Sequence, residues 1–276
     1  TRRWWAEQVK KRVVSRFRAG LVGGSPHRSY LRRLGVPTEN IFLGYDGVDN
    51  EYFREEARAV RDRAWTLRGK YDVPNSYFLA SCRFIPKKNL PRLIEAYGRY
   101  RANVSDEAWD LVLLGDGPER STVENCISKV GVEDAVHLPG FKQYDELPVY
   151  YGLADAFVHA STREQWGLVV NEAMAAGLPV LVSDRCGCAT DLVEDGRNGF
   201  TFDPYDPDAL ASLMERVAHG DVDRSAMGTA SQDIIDDWGP ERFATGLQKA
   251  VAAALRRGPP SSSMIDRLLL KALMYR

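Results

Sequence analysis

Four cysteines in 276 residues (Cys82, Cys126, Cys186 and Cys188) are too few for a disulfide framework, which excludes the small cross-linked secreted classes. Cys186-Gly187-Cys188 has no second Cys or His pair at metal-ligand spacing. Small residues beside a turn are therefore the simpler reading, and neither a metal nor a cofactor is expected. No apolar run approaches the ~18–20 residues of a membrane-spanning helix, and the start lacks a hydrophobic signal core. The expected location is cytoplasmic, soluble or peripheral at the inner membrane face. No internal repeat is visible. A net charge of −1, with 23 Gly and 14 Pro, excludes a disordered polyelectrolyte and a collagen-like chain. There is no initial Met: the chain opens on Thr1 and is expected to be a fragment or a processed product.

What is present is an ordinary globular composition, 44% hydrophobic and 27% charged. At ~150 residues per domain the length gives roughly 1.8 domains. The small net charge conceals a gradient. Residues 1–33 hold ten Lys and Arg (Arg2, Arg3, Lys10, Lys11, Arg12, Arg16, Arg18, Arg28, Arg32, Arg33) against Glu7 alone, so this arm is +9 and the rest −10. A basic arm beginning with Trp4 and Trp5 suits nucleic acid, anionic lipid or an acidic partner. The plainer alternative is a surface helix packed on something outside the chain. The arm lacks a recognised nucleic-acid motif, so nucleic acid is not expected.

Short apolar runs at 19–23, 41–44, 77–82, 110–115, 135–138, 156–159, 179–183 and 199–202 alternate with helical patterns such as 90–100, 120–130 and 168–176. Runs such as Leu111-Val112-Leu113-Leu114 and Val180-Leu181-Val182 are continuous, as in strands covered on both faces. The expected fold is α/β: a doubly wound parallel sheet followed by C-terminal helices over 206–219, 221–237 and 240–256. The stretch 258–263 reads as a break, and 264–276 as a short amphipathic tail (Arg267, Leu268, Leu269, Leu270, Lys271, Leu273, Met274, Arg276) that docks on protein or touches a membrane.

Three features carry chemistry. Glu164-Gln165-Trp166-Gly167-Leu168-Val169-Val170-Asn171-Glu172 opens a helix directly after a strand, where free N–H groups suit phosphate. Its two carboxylates repel phosphate and fit sugar hydroxyls on either side of one, or are ordinary helix and surface acids without a ligand. Arg83-Phe84-Ile85-Pro86-Lys87-Lys88 ends another strand, where open α/β sheets bind ligands. Its cations suit a diphosphate, or form a solvated turn. Gly115-Asp116-Gly117-Pro118 and His137-Leu138-Pro139-Gly140-Phe141 end two more strands, as walls for a flat base.

These residues resemble the E-x7-E motif and its companions in the GT-B-fold retaining glycosyltransferases called glycosyl transferases group 1. Ala173-Met174-Ala175-Ala176-Gly177-Leu178-Pro179-Val180-Leu181, Glu194-Asp195-Gly196-Arg197-Asn198-Gly199-Phe200 and Gly47-Val48-Asp49 fall in the family's order. Asp46 stands where Asn is common. The resemblance covers about 20–256.

It implies a Rossmann-like, nucleotide-sugar donor-binding domain over 46–256, after a remnant of an N-terminal acceptor domain with its basic arm over 1–45. Residues 257–276 would be linker and tail. Arg83 and Lys88 would neutralise the departing diphosphate and Glu164 would hold donor-sugar hydroxyls. Glu172 would grip the ribose, and Trp166, Gly167, Leu168 and Val169 would shape the phosphate and sugar pocket. Gly115, Leu138 and Phe141 would wall the base. The implied reaction is metal-independent transfer, with retention, from a nucleotide-diphosphate sugar to a glycan or lipid-linked acceptor, with an anionic membrane surface as a further partner. A non-catalytic nucleotide-sugar-binding module is the alternative. Two departures stand out: His27 does not match the family's acceptor-domain His, and Cys186-Gly187-Cys188-Ala189-Thr190-Asp191 replaces a Gly-Gly…Glu pattern. All four histidines (His27, His137, His159, His219) are expected to be structural.

Overall fold

The computed structural model describes residues 4–104, 107–220, 222–258, 263, 264 and 271. Arg2 and Arg3 of the basic arm, Asp221 at an expected helix start, and all of the tail's apolar and basic residues except Met264 and Lys271 lie outside the described residues.

In chain order the first elements are α1 (Trp4–Val14), β1 (Gly20–Val22), α2 (Ser25–Arg33), β2 (Ile41–Leu43), α3 (Asn50–Arg61) and α4 (Ala64–Tyr71). Then come β3 (Tyr77–Ser81), α5 (Leu90–Val104), β4 (Asp110–Leu114), α6 (Arg120–Val130), β5 (Val136–Gly140) and α7 (Leu147–Leu153). The series closes with β6 (Ala156–His159), α8 (Leu168–Ala175), β7 (Val180–Ser183), α9 (Ala189–Leu192), β8 (Gly199–Phe202), α10 (Pro207–Ala218), α11 (Arg224–Asp236) and α12 (Pro240–Arg257).

The chain divides into two compact units, one of residues 1–47 with 240–276 and the other of 48–239. In the first, β1 and β2 pair in parallel, Leu21 opposite Phe42, and α12 packs on both strands. Close approach explains the fit: a Cβ on Gly246 of α12 would lie 2.8 Å from both Leu21 Cδ1 and the Leu43 carbonyl oxygen. Helix α12 thus groups with the N-terminal segment, whereas the resemblance implies a donor domain over 46–256. The basic arm spans α1, β1 and α2, and its first helix, α1, buries no residue and leaves Trp4 and Trp5 exposed.

The second unit is a six-stranded parallel sheet of order β5-β4-β3-β6-β7-β8. Its strands alternate between two cores. Tyr77 and Leu79 of β3 face Phe53, Tyr151, Val170 and Met174 of α3, α7 and α8. Phe78 and Ala80 face Leu93, Tyr97, Ile127 and Met214 of α5, α6 and α10. Burial on both faces is why these strands read as continuous apolar runs. The order reverses between β3 and β6, the crevice where doubly wound sheets bind ligands at their carboxyl ends. The two ends of this unit meet: Asn50 Nδ2 donates to the Ile235 carbonyl at 2.7 Å, and Arg54 forms an ion pair with Asp236.

Candidate donor site

Every element of the site follows a strand of the second unit. After β3 the chain runs through Arg83 and a 3₁₀ turn, Pro86–Lys88, to Asn89, which takes a left-handed conformation at φ 60°. Asn89 is buried, and its Nδ2 donates to the carbonyls of Ala160 (3.2 Å) and Pro204 (2.8 Å). Thr162 N donates to the Lys87 carbonyl at 2.9 Å. These bonds fasten the cationic turn to the loop after β6, which carries Glu164.

Glu164 is held by cations. Its Oε1 lies 3.2 Å from Lys87 Nζ, its Oε2 pairs with Lys88, and His159 Nε2 lies 3.9 Å away. Burial pushes the carboxyl up, but the neighbouring His159 and the bonds from Lys88 and Lys87 more than offset it and hold Glu164 well below the usual carboxylate range. Burial holds the His159 imidazole below its ordinary value. Arg83, Lys87 and Lys88 of the turn outnumber Glu164, and the adjoining cavity adds Lys142, Asp116 and Glu172, so four cations face three carboxylates. Arg83 is exposed and lines the adjoining cavity.

That cavity, of about 550 Å³, is lined by Ser81, Cys82, Arg83, Leu114, Gly115, Asp116, Gly117, Phe141, Lys142, Leu147, Val169 and Glu172. Gly115 is required by space as well as conformation: at φ +124° its Cβ would lie 1.9 Å from the Cys82 carbonyl oxygen. Gly167 heads α8 at φ +112° with only ordinary contacts around a Cβ, so its requirement is conformational. Glu172, one and a half turns into α8, accepts from the Tyr151 hydroxyl at 2.6 Å. Burial raises its carboxyl, and the Tyr151 bond partly restores the charged form. Burial also pushes the Cys82 thiol up to about 12, which keeps it protonated against the cavity.

A larger cavity, about 650 Å³, opens between α5 and α6 behind the 83–89 turn. Its charged residues, Arg92, Glu95, Glu119 and Lys129, belong to α5, α6 and the approach to α6, whereas the smaller cavity stands at the carboxyl ends of the strands beside the sheet reversal and is the candidate site.

The structure therefore brings Arg83, Gly115, Phe141, Val169 and Glu172 onto one cavity, with Glu164 and Lys88 paired beside it. Leu168 is 41% exposed at the start of α8. Two residues go elsewhere. Trp166 is buried, tilted against Trp238 with centroids 5.0 Å apart, and its Nε1 donates to Asn171 Oδ1 at 2.9 Å. Leu138 packs against the α5–α6–α10 core. Tyr151 and Leu147 join the site without any local sequence signal, because only the fold brings α7 to it, and Lys142 follows Phe141 directly. Cys186 and Cys188 are buried, and Cys186 bridges in parallel to Glu164. His137 Nε2 meets Asp110 Oδ2 at 2.8 Å, and His27 Nδ1 accepts from Gly24 N at 3.3 Å.

Residues 66–233 match the family described as Glycosyl transferases group 1. The chain belongs to this family. The alpha-monoglucosyldiacylglycerol synthase of Acholeplasma laidlawii is 28% identical over 220 residues, 72% of this chain and 51% of that protein. The GDP-mannose-dependent alpha-(1-6)-phosphatidylinositol monomannoside mannosyltransferase of Mycolicibacterium smegmatis is 32% identical over 200 residues, 70% of this chain and 51% of that protein. The chain thus spans about half the length of these relatives. Among solved structures, HepE of Anabaena in complex with UDP superposes with a TM-score of 0.71 at 21% identity, covering 84% of this chain and 63% of HepE. Sucrose-phosphate synthase from Thermosynechococcus elongatus gives 0.76 at 22% identity, covering 94% of this chain and 63% of the synthase. These likenesses show the GT-B glycosyltransferase fold.

Proposed function

We propose that the chain carries the donor half of a retaining glycosyltransferase that moves a sugar from a nucleotide diphosphate to a glycan or lipid-linked acceptor. The observation that carries this reading is the convergence of Glu164, its cations and Glu172 on one crevice at the reversal of the sheet. The cations concentrated on the 83–88 turn suit the negative charges of a nucleotide-diphosphate sugar. Arg83 and Lys88 neutralise the diphosphate as it departs, and their fixed placement stabilises the transition state electrostatically. These cations and the N–H groups heading α8 take the part a metal ion plays in other transferases. Glu164 accepts from donor-sugar hydroxyls and Glu172 from the ribose. Retention follows if the acceptor attacks the sugar on the face the diphosphate leaves. The cavity walls Gly115, Leu147, Val169 and Phe141 suit a flat base.

The relatives named as a monoglucosyldiacylglycerol synthase and a phosphatidylinositol monomannoside mannosyltransferase support a lipid-linked acceptor. An anionic membrane surface is a further proposed partner: α1 exposes Trp4 and Trp5 on the same helix as Lys10, Lys11 and Arg12, the interfacial mixture of aromatic and basic side chains. Co-sedimentation with liposomes that rises with anionic lipid content checks this, and the location would then be peripheral at the cytoplasmic membrane face.

Calorimetric titration with UDP and GDP tests the donor reading. One of them binds, and Glu172→Ala weakens it by more than tenfold; no binding of either refutes it. Transfer or donor hydrolysis by the 276-residue chain would exclude a module that only binds.

A further inference from the structure

Glu172 is fixed from behind the cavity wall. Tyr151, on α7, is fully buried, and its hydroxyl donates to Glu172 Oε2 at 2.6 Å. Ser81, the last residue of β3, neighbours the same phenol. The Tyr151 ring is wedged between two others, Phe53 edge-on with centroids 5.7 Å apart and Phe157 at 5.8 Å. A ring packed this way cannot swing, so its hydroxyl points to one place. Ser81 and Glu172 line the cavity, whereas Tyr151 stands behind them.

A carboxylate offers about four lone-pair positions on its two oxygens, and Tyr151 occupies one of them. The geometry points to Tyr151 as the positioning residue that makes this cavity select a ribonucleotide over a deoxyribonucleotide, by locking the Glu172 carboxylate at the angle that accepts both hydroxyls of a ribose diol. The inference rests on the donor-binding reading and adds a selectivity to it. A carboxylate free to rotate would meet a deoxyribose by turning toward its one remaining hydroxyl, and would discriminate little. A locked one is left with a buried acceptor that has no donor, and the deoxyribonucleotide bears that penalty.

The test is calorimetry on the 276-residue chain with UDP, GDP and their 2′-deoxy counterparts. The parent binds the ribonucleotide at least tenfold more tightly than the deoxyribonucleotide. Tyr151→Phe keeps the ring packing and removes the hydroxyl. It brings the ratio to threefold or less, with the ribonucleotide weakened and the deoxyribonucleotide unchanged. Ser81→Ala, which removes the hydroxyl neighbouring the phenol, moves the ratio the same way by a smaller factor. If circular dichroism shows that Tyr151→Phe does not fold, Ser81→Ala decides on the same ratio. An unchanged ratio overturns the inference, and so does equal weakening of both nucleotides, which marks Tyr151 as a support of the fold only. A parent that binds ribo and deoxy forms equally overturns it while leaving the donor reading intact. A parent that binds neither nucleotide overturns both.

Discussion

Lys88 and Glu164 form an ion pair in which each side chain is only 13% exposed. Removing one partner from a shielded pair strands the other, and the second cation, Lys87, is 42% exposed and compensates only in part. Lys88→Met is expected to destabilise the protein by about 2 kcal/mol, discounted from the 3–5 kcal/mol of a fully buried pair. Urea denaturation measures this. On the donor reading the same variant loses affinity for UDP or GDP, whereas Glu164→Ala keeps the nucleotide and loses transfer.

Acid should weaken the fold in two stages, of which His159 sets the first. The folded imidazole titrates below its ordinary 6.5, so the unfolded chain takes up this proton at higher pH than the folded one. The His159 contribution is complete above pH 6.5 and declines as pH falls through and below that value. Glu164, held below its ordinary 4.5, contributes fully above that pH and declines only below it. The Tm difference between pH 7.5 and pH 5.5 should therefore shrink in His159→Gln. Equal losses in parent and variant would count against the assignment. Ser161, Glu164, Lys87 and Lys88 are the polar groups facing the ring, so a double variant with Glu164→Gln separates the two windows.

Gly115 and Gly167 should respond differently to alanine. Gly167→Ala strains a left-handed backbone without a clash and should cost ~1–3 kcal/mol. Gly115→Ala adds a collision with the Cys82 carbonyl, which forces β3 and β4 apart at the cavity. Its loss in Tm should be the larger, with nucleotide affinity falling alongside. A Gly167 variant hurt as severely as Gly115 would contradict this ordering.

Trp166→Phe should act on stability before it acts on the ligand. It removes the indole donor from Asn171 Oδ1 and leaves that buried acceptor bare, at about 1–3 kcal/mol. Thermal denaturation should show the drop, while UDP or GDP affinity at 20 °C stays within threefold of the parent. A large affinity loss with unchanged Tm would return Trp166 to the pocket.

The six-stranded sheet was legible because strands covered on both faces must be apolar throughout, as Leu111 to Leu114 are. The cationic turn and the two glutamates were legible because each follows a strand directly, and parallel strands bring their carboxyl ends together. The helices α3 and α4 went unread. Phe53, Ala57 and Val60 have helical spacing, yet stand in a charged background whose burial only the sheet supplies. Trp166 looked like a ligand contact from its place in the motif, but its partner Trp238 comes from beyond α11. Tyr151 carries no mark in its apolar run that distinguishes it from Tyr150, since one meets Glu172 and the other does not. The grouping of α12 with β1 and β2 is likewise a long-range fact that local composition does not contain.

That grouping sets an order for folding. About 200 residues separate β2 from α12, and closing so long a loop in an unfolded chain is entropically costly and slow. The bond from Asn50 to the Ile235 carbonyl, with the Arg54–Asp236 pair, brings the two ends of the intervening unit together once it has folded. The six-stranded unit thereby serves as a clasp that turns a long loop into a short one. The two-stranded sheet should therefore be completed second, and a lesion at Asn50 should slow its closure without touching any residue of that sheet.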